Sequence, residues 1–248
     1  METRAKAQAR ILAGDVLVGD RPITKAGTAI PEDAEIRLRG EALPYVSRGG
    51  LKLAHGLKTF HVEPSGWTCF DAGASTGGFT DCLLQRGAAR VYAVDVGTNQ
   101  LHWQLRSDPR VVSMEHTNLR NWDPGRIPEC CRLLVADLSF ISLRLVIPPI
   151  LESLTPDAEA ILLVKPQFEA GRGDVGVGGI VRDPAVHLRV VSEIWAFFNE
   201  TELKPQGWCE SPILGGEGNK EFLLHLLRGA SPVRFGTDAS AAKSPLHP

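Results

Sequence analysis

The sequence predicts an α/β protein, a mostly parallel sheet covered by helices on both faces, with a small α/β module ahead of it. Three observations predict it. From Thr68 onward, strand-like and helix-like runs alternate, the pattern of β-α-β units in a parallel sheet. The first strand of that series enters a glycine-rich turn that opens a helix, where such sheets place ligands. The first forty residues follow another rhythm, one helix and then short strands.

Taken in order, Ala5, Ala7, Ile11 and Leu12 form a helical stripe that stops at Gly14. Residues 16–19, 20–24 and 35–39 read as short strands joined by Gly/Asp/Pro turns. A unit this small with few large apolar side chains is marginal alone and leans on a partner, protein or RNA. Residues 1–40 are thus a module and 41–46 a linker. Ser47 is placed to cap a helix from Arg48 to about Phe60, with Leu51, Ala54, Leu57 and His61 on one face. Gly49 and Gly50 weaken that helix and point to close approach of a ligand.

The alternating series has strands at 68–72, 90–94, 111–114, 133–136 and 160–164. Helices fall at 78–86, 100–107, 143–154 and 184–200. Residues 207–212 and 220–227, joined by a turn rich in glycine, predict a hairpin closing the sheet edge. The glycine-rich stretch 169–182 predicts a mobile flap beside the site. The large domain then spans 47–228, and the Ser/Ala/Pro-rich tail 229–248 predicts disorder.

Composition narrows the class. The chain has 248 residues, 43% hydrophobic and 23% charged, which excludes disordered, collagen-like and disulfide-scaffold proteins. No apolar run approaches the roughly 20 residues of a membrane span. The five cysteines and the histidines show no metal-ligand spacing, so no metal is expected. With no apolar signal core, the expected location is cytoplasmic. Residues 1–58 hold 10 Lys+Arg against 7 Asp+Glu, an excess of three, while the remainder carries a deficit of five. A basic module on an acidic domain suits a polyanion.

The strongest local signal is Phe70-Asp-Ala-Gly-Ala-Ser-Thr-Gly-Gly-Phe-Thr80. Gly73, Gly77 and Gly78 let a ligand approach the backbone, and the helix start offers free N–H groups. Asp95 ends the next strand, where a carboxylate accepts ribose hydroxyls. A dinucleotide site would set a pyrophosphate on this turn, and Asp71 would repel it. Asp71 suits the cationic amino group of S-adenosylmethionine, so that cofactor is favoured over NAD. Four ionisable residues end elements at the same sheet edge: Lys52, Asp137, Lys165 and Glu221.

On these stretches the chain resembles the TlyA (haemolysin A) family of rRNA 2′-O-methyltransferases, with an FtsJ-like catalytic domain. The matching motifs are Tyr45-Val-Ser-Arg-Gly-Gly-Leu-Lys52, the glycine turn, Ala136-Asp-Leu-Ser-Phe140, Val164-Lys-Pro-Gln-Phe-Glu169 and Gly218-Asn-Lys-Glu-Phe222. The resemblance implies a Rossmann-like, seven-stranded S-adenosylmethionine-dependent fold. It implies a catalytic tetrad on Lys52, Asp137, Lys165 and Glu221. Its cofactor residues would be Asp71, Gly73, Ser75, Thr76, Gly77, Gly78 and Phe79, with Asp95 on the ribose and Asn118 toward the adenine. It implies rRNA in ribosomal subunits as partner and a large-subunit cytidine as target, with a small-subunit one beside it. The N-terminal module resembles a truncated RNA-binding domain of the ribosomal protein S-four type, whose usual first helix would precede Thr3. Arg4, Lys6 and Arg10, with Arg48 beside the catalytic helix, are its candidate RNA contacts. No oligomeric state follows from the sequence.

For the reaction, Lys165 is expected to take the proton from the 2′-hydroxyl. A free lysine has a pKa of about 10.4, so an amine mostly neutral near pH 7 needs one lower by about 3, worth about 4 kcal/mol. Burial and Lys52 push that way, and Asp137 orients the amine. Glu221 would hold Lys52 or the ribose. Two other functions compete: an RNA-binding protein without catalysis, disfavoured by the intact tetrad, and a haemolysin. Pore formation needs a long apolar or strongly amphipathic segment, which the sequence lacks. The five tryptophans are expected in the core or at domain contacts.

Overall fold

The computed structural model describes residues 3–18, 21–31, 34, 36–38, 43–215 and 218–236. They fall into two compact units, Met1–Pro44 and Tyr45–Pro248.

In the smaller unit, Thr3 accepts a hydrogen bond from the Lys6 amide at 3.2 Å and so caps α1, Arg4–Leu12. Three short strands follow: β1 (Val16–Val18), β2 (Arg21–Ile23) and β3 (Ile36–Leu38). Both β2 and β3 pair antiparallel with β1, giving the order β2-β1-β3. Val16 is the buried hydrophobic residue of this unit among those described, and no residue of α1 is buried.

The larger unit opens with α2, Gly49–Thr59. Its buried residues are Gly50, Lys52, Leu53, Gly56 and Leu57, so the apolar face lies one step from the expected stripe. Leu51 and Ala54 are only half-buried, and His61 is exposed at φ +57°. Ser47 does not cap the helix: Arg48 holds the N-cap position without a side-chain bond. The need for glycine at position 50 is also internal, because a Cβ there would meet the Tyr45 ring at 2.3 Å.

Then come β4 (Thr68–Ala72), α3 (Gly78–Gln85), β5 (Arg90–Val94), α4 (Trp103–Arg106), β6 (Val111–Met114), β7 (Cys131–Ala136), α5 (Leu143–Ile150), β8 (Leu154–Val164), α6 (Pro166–Glu169), α7 (Pro184–Asn199), β9 (Leu203–Glu210) and β10 (Phe222–Arg228). The seven strands lie in the order β6-β5-β4-β7-β8-β10-β9. The first five run parallel, and β10 is antiparallel to both neighbours. The expected hairpin is therefore present, with its second strand inserted between β8 and the edge strand β9.

Side-chain alternation along the buried strands splits the core in two. Phe70 and Ala72 face a cluster with residues of α5 and α7, such as Ile147, Ile150, Val191 and Ile194. Cys69 faces the other, with Leu53 and Leu57 of α2 and Phe79 and Leu83 of α3. Trp122, Trp195 and Trp208 are buried, whereas Trp103 is 68% exposed. Within the tail expected to be disordered, residues 231–234 are exposed, while Phe235 lies 5.5 Å from Trp195 and 6.2 Å from Trp208 between ring centres, and the Trp208 indole donates to the Gly236 carbonyl at 2.9 Å. The rest of the expected disordered tail, 237–248, lies outside the described residues.

Candidate active site

The chain steps outward from β4 through β5 to β6, then crosses back to β7. That reversal leaves a crevice at the carboxyl ends of β4 and β7, where open α/β sheets bind ligands. A cleft of about 290 Å³ opens there. Its walls include Ser47, Arg48 and Gly49 before and on α2, Gly73–Thr76 of the first turn, Asp137 and Ser139 after β7, and Lys165 after β8.

Backbone strain marks the same edge. The loops after β4, β5, β6 and β7 each hold one non-glycine residue at positive φ: Ser75 (+47°), Asn99 (+54°), His116 (+55°) and Phe140 (+63°). Such conformations cost on the order of 1–3 kcal/mol each and persist where surrounding structure enforces them. Gly73 has φ +84°, and a Cβ on it would lie 2.7 Å from the Asp137 carbonyl oxygen. The β4 and β7 loops meet at that contact.

Two ion pairs face the cleft. Lys165 Nζ lies 2.6 Å from Asp137 Oδ1 and donates to Ser139 Oγ at 3.0 Å. Lys52 Nζ donates to Glu221 Oε2 at 2.5 Å. Both ammonium groups are nearly sealed, each lysine being 8% exposed. Register explains the convergence: Phe222 pairs with Val164, so Glu221 and Lys165 follow at adjacent positions on β10 and β8. Of the four residues singled out in the sequence, Lys52 on α2, Asp137 just after β7 and Lys165 just after β8 line the cleft, and Glu221, just before β10, joins them through Lys52.

Among the expected cofactor residues, Gly73, Ser75, Thr76, Gly78 and Phe79 line the cleft, and Asp71, Gly77, Asp95 and Asn118 do not. Asp71 is fully buried on the α3 side of β4, where its Oδ2 accepts from the Thr80 hydroxyl at 2.6 Å. Burial pushes its carboxyl up to about 7, against the Thr80 hydrogen bond, and Oδ1 has no partner. The Asp71 carboxyl therefore lies behind the cleft wall rather than in it. Gly77, at φ +94°, is required by packing: a Cβ there would lie 2.2 Å from Leu105. Asp95 accepts from the Ser75 amide at 2.9 Å and the Gly97 amide at 2.7 Å, and so ties the β4 and β5 loops together. Asn118 is exposed and caps a short 3-10 turn through the Arg120 amide.

Four participants escape a reading of the sequence. Ser139 holds Lys165, though it stands only two residues beyond Asp137 in the same motif. Phe140 is 90% exposed and lies 4.9 Å from the Phe168 ring. Glu169 reaches back to the start of α5, accepting from the Ser142 hydroxyl at 2.6 Å and the Leu143 amide at 2.7 Å. Asn219 ties the expected flap to the β10 turn, accepting from the Val181 amide at 3.0 Å and donating to the Gly179 carbonyl at 3.0 Å. The flap has internal order too: Gly176 donates to the Ile180 carbonyl at 3.0 Å, and Asp174 pairs with Arg189 at 2.6 Å.

The donor set fits an adenosyl ligand that carries a cationic centre. It offers a glycine-lined backbone cradle and the Asp137 carboxylate, with Asp95 just behind the cradle at the next strand end. In the smaller unit, Arg4 and Lys6 are exposed on α1, and Arg10 lies 3.9 Å from Asp15.

Residues 45–228 match the family model described as FtsJ-like methyltransferase. The chain is 44% identical over 225 residues to the 16S/23S rRNA (cytidine-2′-O)-methyltransferase TlyA of Mycobacterium tuberculosis, covering 90% of this chain and 84% of that one. It is 40% identical over 227 residues to Hemolysin A of Brachyspira hyodysenteriae, covering 91% and 94%. A solved structure from Streptococcus thermophilus, titled as a hemolysin, superposes with a TM-score of 0.78 at 45% identity, covering 94% of this chain and 85% of that one. The chain therefore belongs to the FtsJ-like methyltransferase family, and S-adenosylmethionine is its methyl donor.

Proposed function

We propose that the protein methylates the 2′-hydroxyl of a cytidine in large-subunit rRNA, and of a second one in the small subunit, with Lys165 as the base. The observation that carries this reading is the placement of Lys165, a nearly sealed amine held by Asp137 and Ser139 beside the glycine turn. The substrate class is supported by the likeness to the Mycobacterium tuberculosis TlyA.

Gly73, Ser75, Thr76, Gly78 and Phe79 would hold the methionine portion of the cofactor, Asp95 its ribose, and the loop of Asn118 would lie toward the adenine. Bound there, S-adenosylmethionine supplies an electrophilic methyl group. A ribose hydroxyl is a weak nucleophile until its proton leaves. Lys165, in its uncharged form, takes that proton at Nζ. Asp137 and Ser139 fix the direction of the amine lone pair. Glu221 fixes Lys52, whose ammonium faces the incoming ribose-phosphate. The exposed Phe140 ring, paired with Phe168, offers a face on which a base turned out of its stack rests. Arg4, Lys6 and Arg10 are the contacts of the smaller unit to rRNA.

The test is incubation of purified protein with labelled S-adenosylmethionine and unmodified ribosomal subunits, followed by mapping of ribose methylation. Label on a cytidine 2′-oxygen supports the proposal. Label on a base, or on protein alone, refutes it. The name carried by the Brachyspira relative suggests a parallel check, release of haemoglobin from erythrocytes. Among the described residues no helix is long and apolar enough to cross a membrane, and no lysis is expected.

A further inference from the structure

The unit boundary relocates the basic charge. Met1–Pro44 holds seven Lys+Arg and seven Asp+Glu, so the smaller unit carries no excess. The excess of three lies wholly in 45–61, which has Arg48, Lys52 and Lys58 and no acid. Residues 62–248 hold 17 basic and 22 acidic residues, a deficit of five. An acidic unit that must accept a polyanion thus has one stretch with three basic residues and no acid among them, and that stretch contributes to the wall of the cleft.

Lys52 is buried and paired with Glu221, so it adds nothing to the outer surface. Arg48 and Lys58 are exposed, and neither forms an ion pair among the described residues. At about 100° per residue, Arg48, Leu51, His55 and Lys58 fall within one arc of about 100° on α2, opposite the buried Leu53 and Leu57. His61 follows at the helix end, exposed. The stripe starts at Arg48 in the cleft wall. It runs about 15 Å to Lys58 at 1.5 Å per residue, the rise of four or five stacked nucleotides at about 3.4 Å each.

We infer that this stripe of α2, Arg48 to Lys58 and His61, is a track for the phosphodiester backbone of the RNA strand that carries the target ribose. The inference rests on the RNA substrate proposed above. It adds which surface guides the strand and in which direction the strand leaves the cleft. Position along the helix assigns the parts: Arg48 touches the phosphate nearest the reacting ribose, and Lys58 one several nucleotides away. Charge is the recognition element, so the track is indifferent to base sequence.

The experiment measures binding of the full-length protein to transcribed large-subunit rRNA across a salt series, for wild type, Lys58→Ala and Lys58→Glu. Thermal shift with S-adenosylmethionine is recorded in parallel to confirm that each variant is folded. A phosphate contact by Lys58 predicts a slope of log affinity against log salt smaller by about 0.7–0.9 for Lys58→Ala. Lys58→Glu is expected to bind about tenfold more weakly at low salt, with an unchanged cofactor shift. A slope and affinity equal to wild type would overturn the track while leaving the RNA substrate standing. No binding of this RNA by wild type overturns both. A reduced slope in a protein that methylates no ribose supports the track and refutes the reaction.

Discussion

At the residue scale, Lys165 and Asp71 illustrate opposite uses of burial. Lys165 is sealed but satisfied, held by a carboxylate and a hydroxyl in the cleft wall. Lys165→Ala is expected to lower kcat by about 10²- to 10⁴-fold, the usual contribution of a positioned base. The thermal shift on adding S-adenosylmethionine should survive, because no part of the glycine turn changes. Near-normal turnover with binding intact would show that the base lies elsewhere. Asp71 is sealed and only half satisfied. Its carboxyl, raised to about 7 from 3.8, prefers its protonated form in the folded chain. The stability this lends is fully present below about pH 4 and is lost as the pH climbs to about 7. Asp71→Asn removes that dependence. The variant should gain stability relative to wild type between pH 5 and pH 8, by at most about 4 kcal/mol for a shift of about three pH units. Denaturant midpoints at the two pH values measure it. The motif revealed that an acid stood here, but not which way it pointed. Strand alternation with Cys69 turns Asp71 toward α3, and in a run flanked by small residues that parity is not readable from sequence.

At the element scale, legibility followed the strength of local signals. The buried β-strands read as short apolar runs, and β4, β5 and β6 have the expected bounds. β8 is longer than expected because Pro156 and Asp157 look like loop. The strand absorbs them in a register shift against β7, between Cys131 and Leu133, where Pro156 is not required to donate. α4 is shorter than expected, Trp103–Arg106, because Asn99 takes φ +54° and His102 then caps the helix through the Gln104 amide. Long-range ties had no signal at all. Glu169 looked like the first residue of a flap, yet it secures the N-terminus of α5 from 26 residues away. Glu169→Ala leaves the Ser142 hydroxyl and Leu143 amide without that partner. At about 1–3 kcal/mol for a buried donor left unpaired and 2–4 °C per kcal/mol for a unit of this size, a fall in Tm of several degrees is expected. kcat should fall with it, since the loop from Asp137 to Ser142 is anchored there. A Tm equal to wild type in differential scanning calorimetry would show that α5 needs no such anchor.

At the scale of the whole molecule, the two units differ in how much they bury. The larger one has a core on each face of its sheet, while the smaller exposes Leu12, Ile36 and Leu38. A chain of 45–248 is therefore expected to fold and to bind S-adenosylmethionine as the full chain does, while binding ribosomal subunits more weakly. Calorimetric titration and subunit pelleting test the two halves of that statement, and loss of cofactor binding would contradict it. The basic excess within residues 1–58 suggests a basic N-terminal module, yet residues 1–44 carry seven basic and seven acidic residues. Only the boundary at Pro44 transfers that charge to α2. The strand order has a consequence for biosynthesis. β10 is the last strand of the sheet in chain order, yet it sits inside the sheet, with Glu221 at its start paired to Lys52, 169 residues earlier. A polypeptide elongated only as far as β9 holds an unpaired β8 and a Lys52 without its carboxylate until β10 emerges. Until that strand arrives, the cleft has a lysine in its wall without its carboxylate partner.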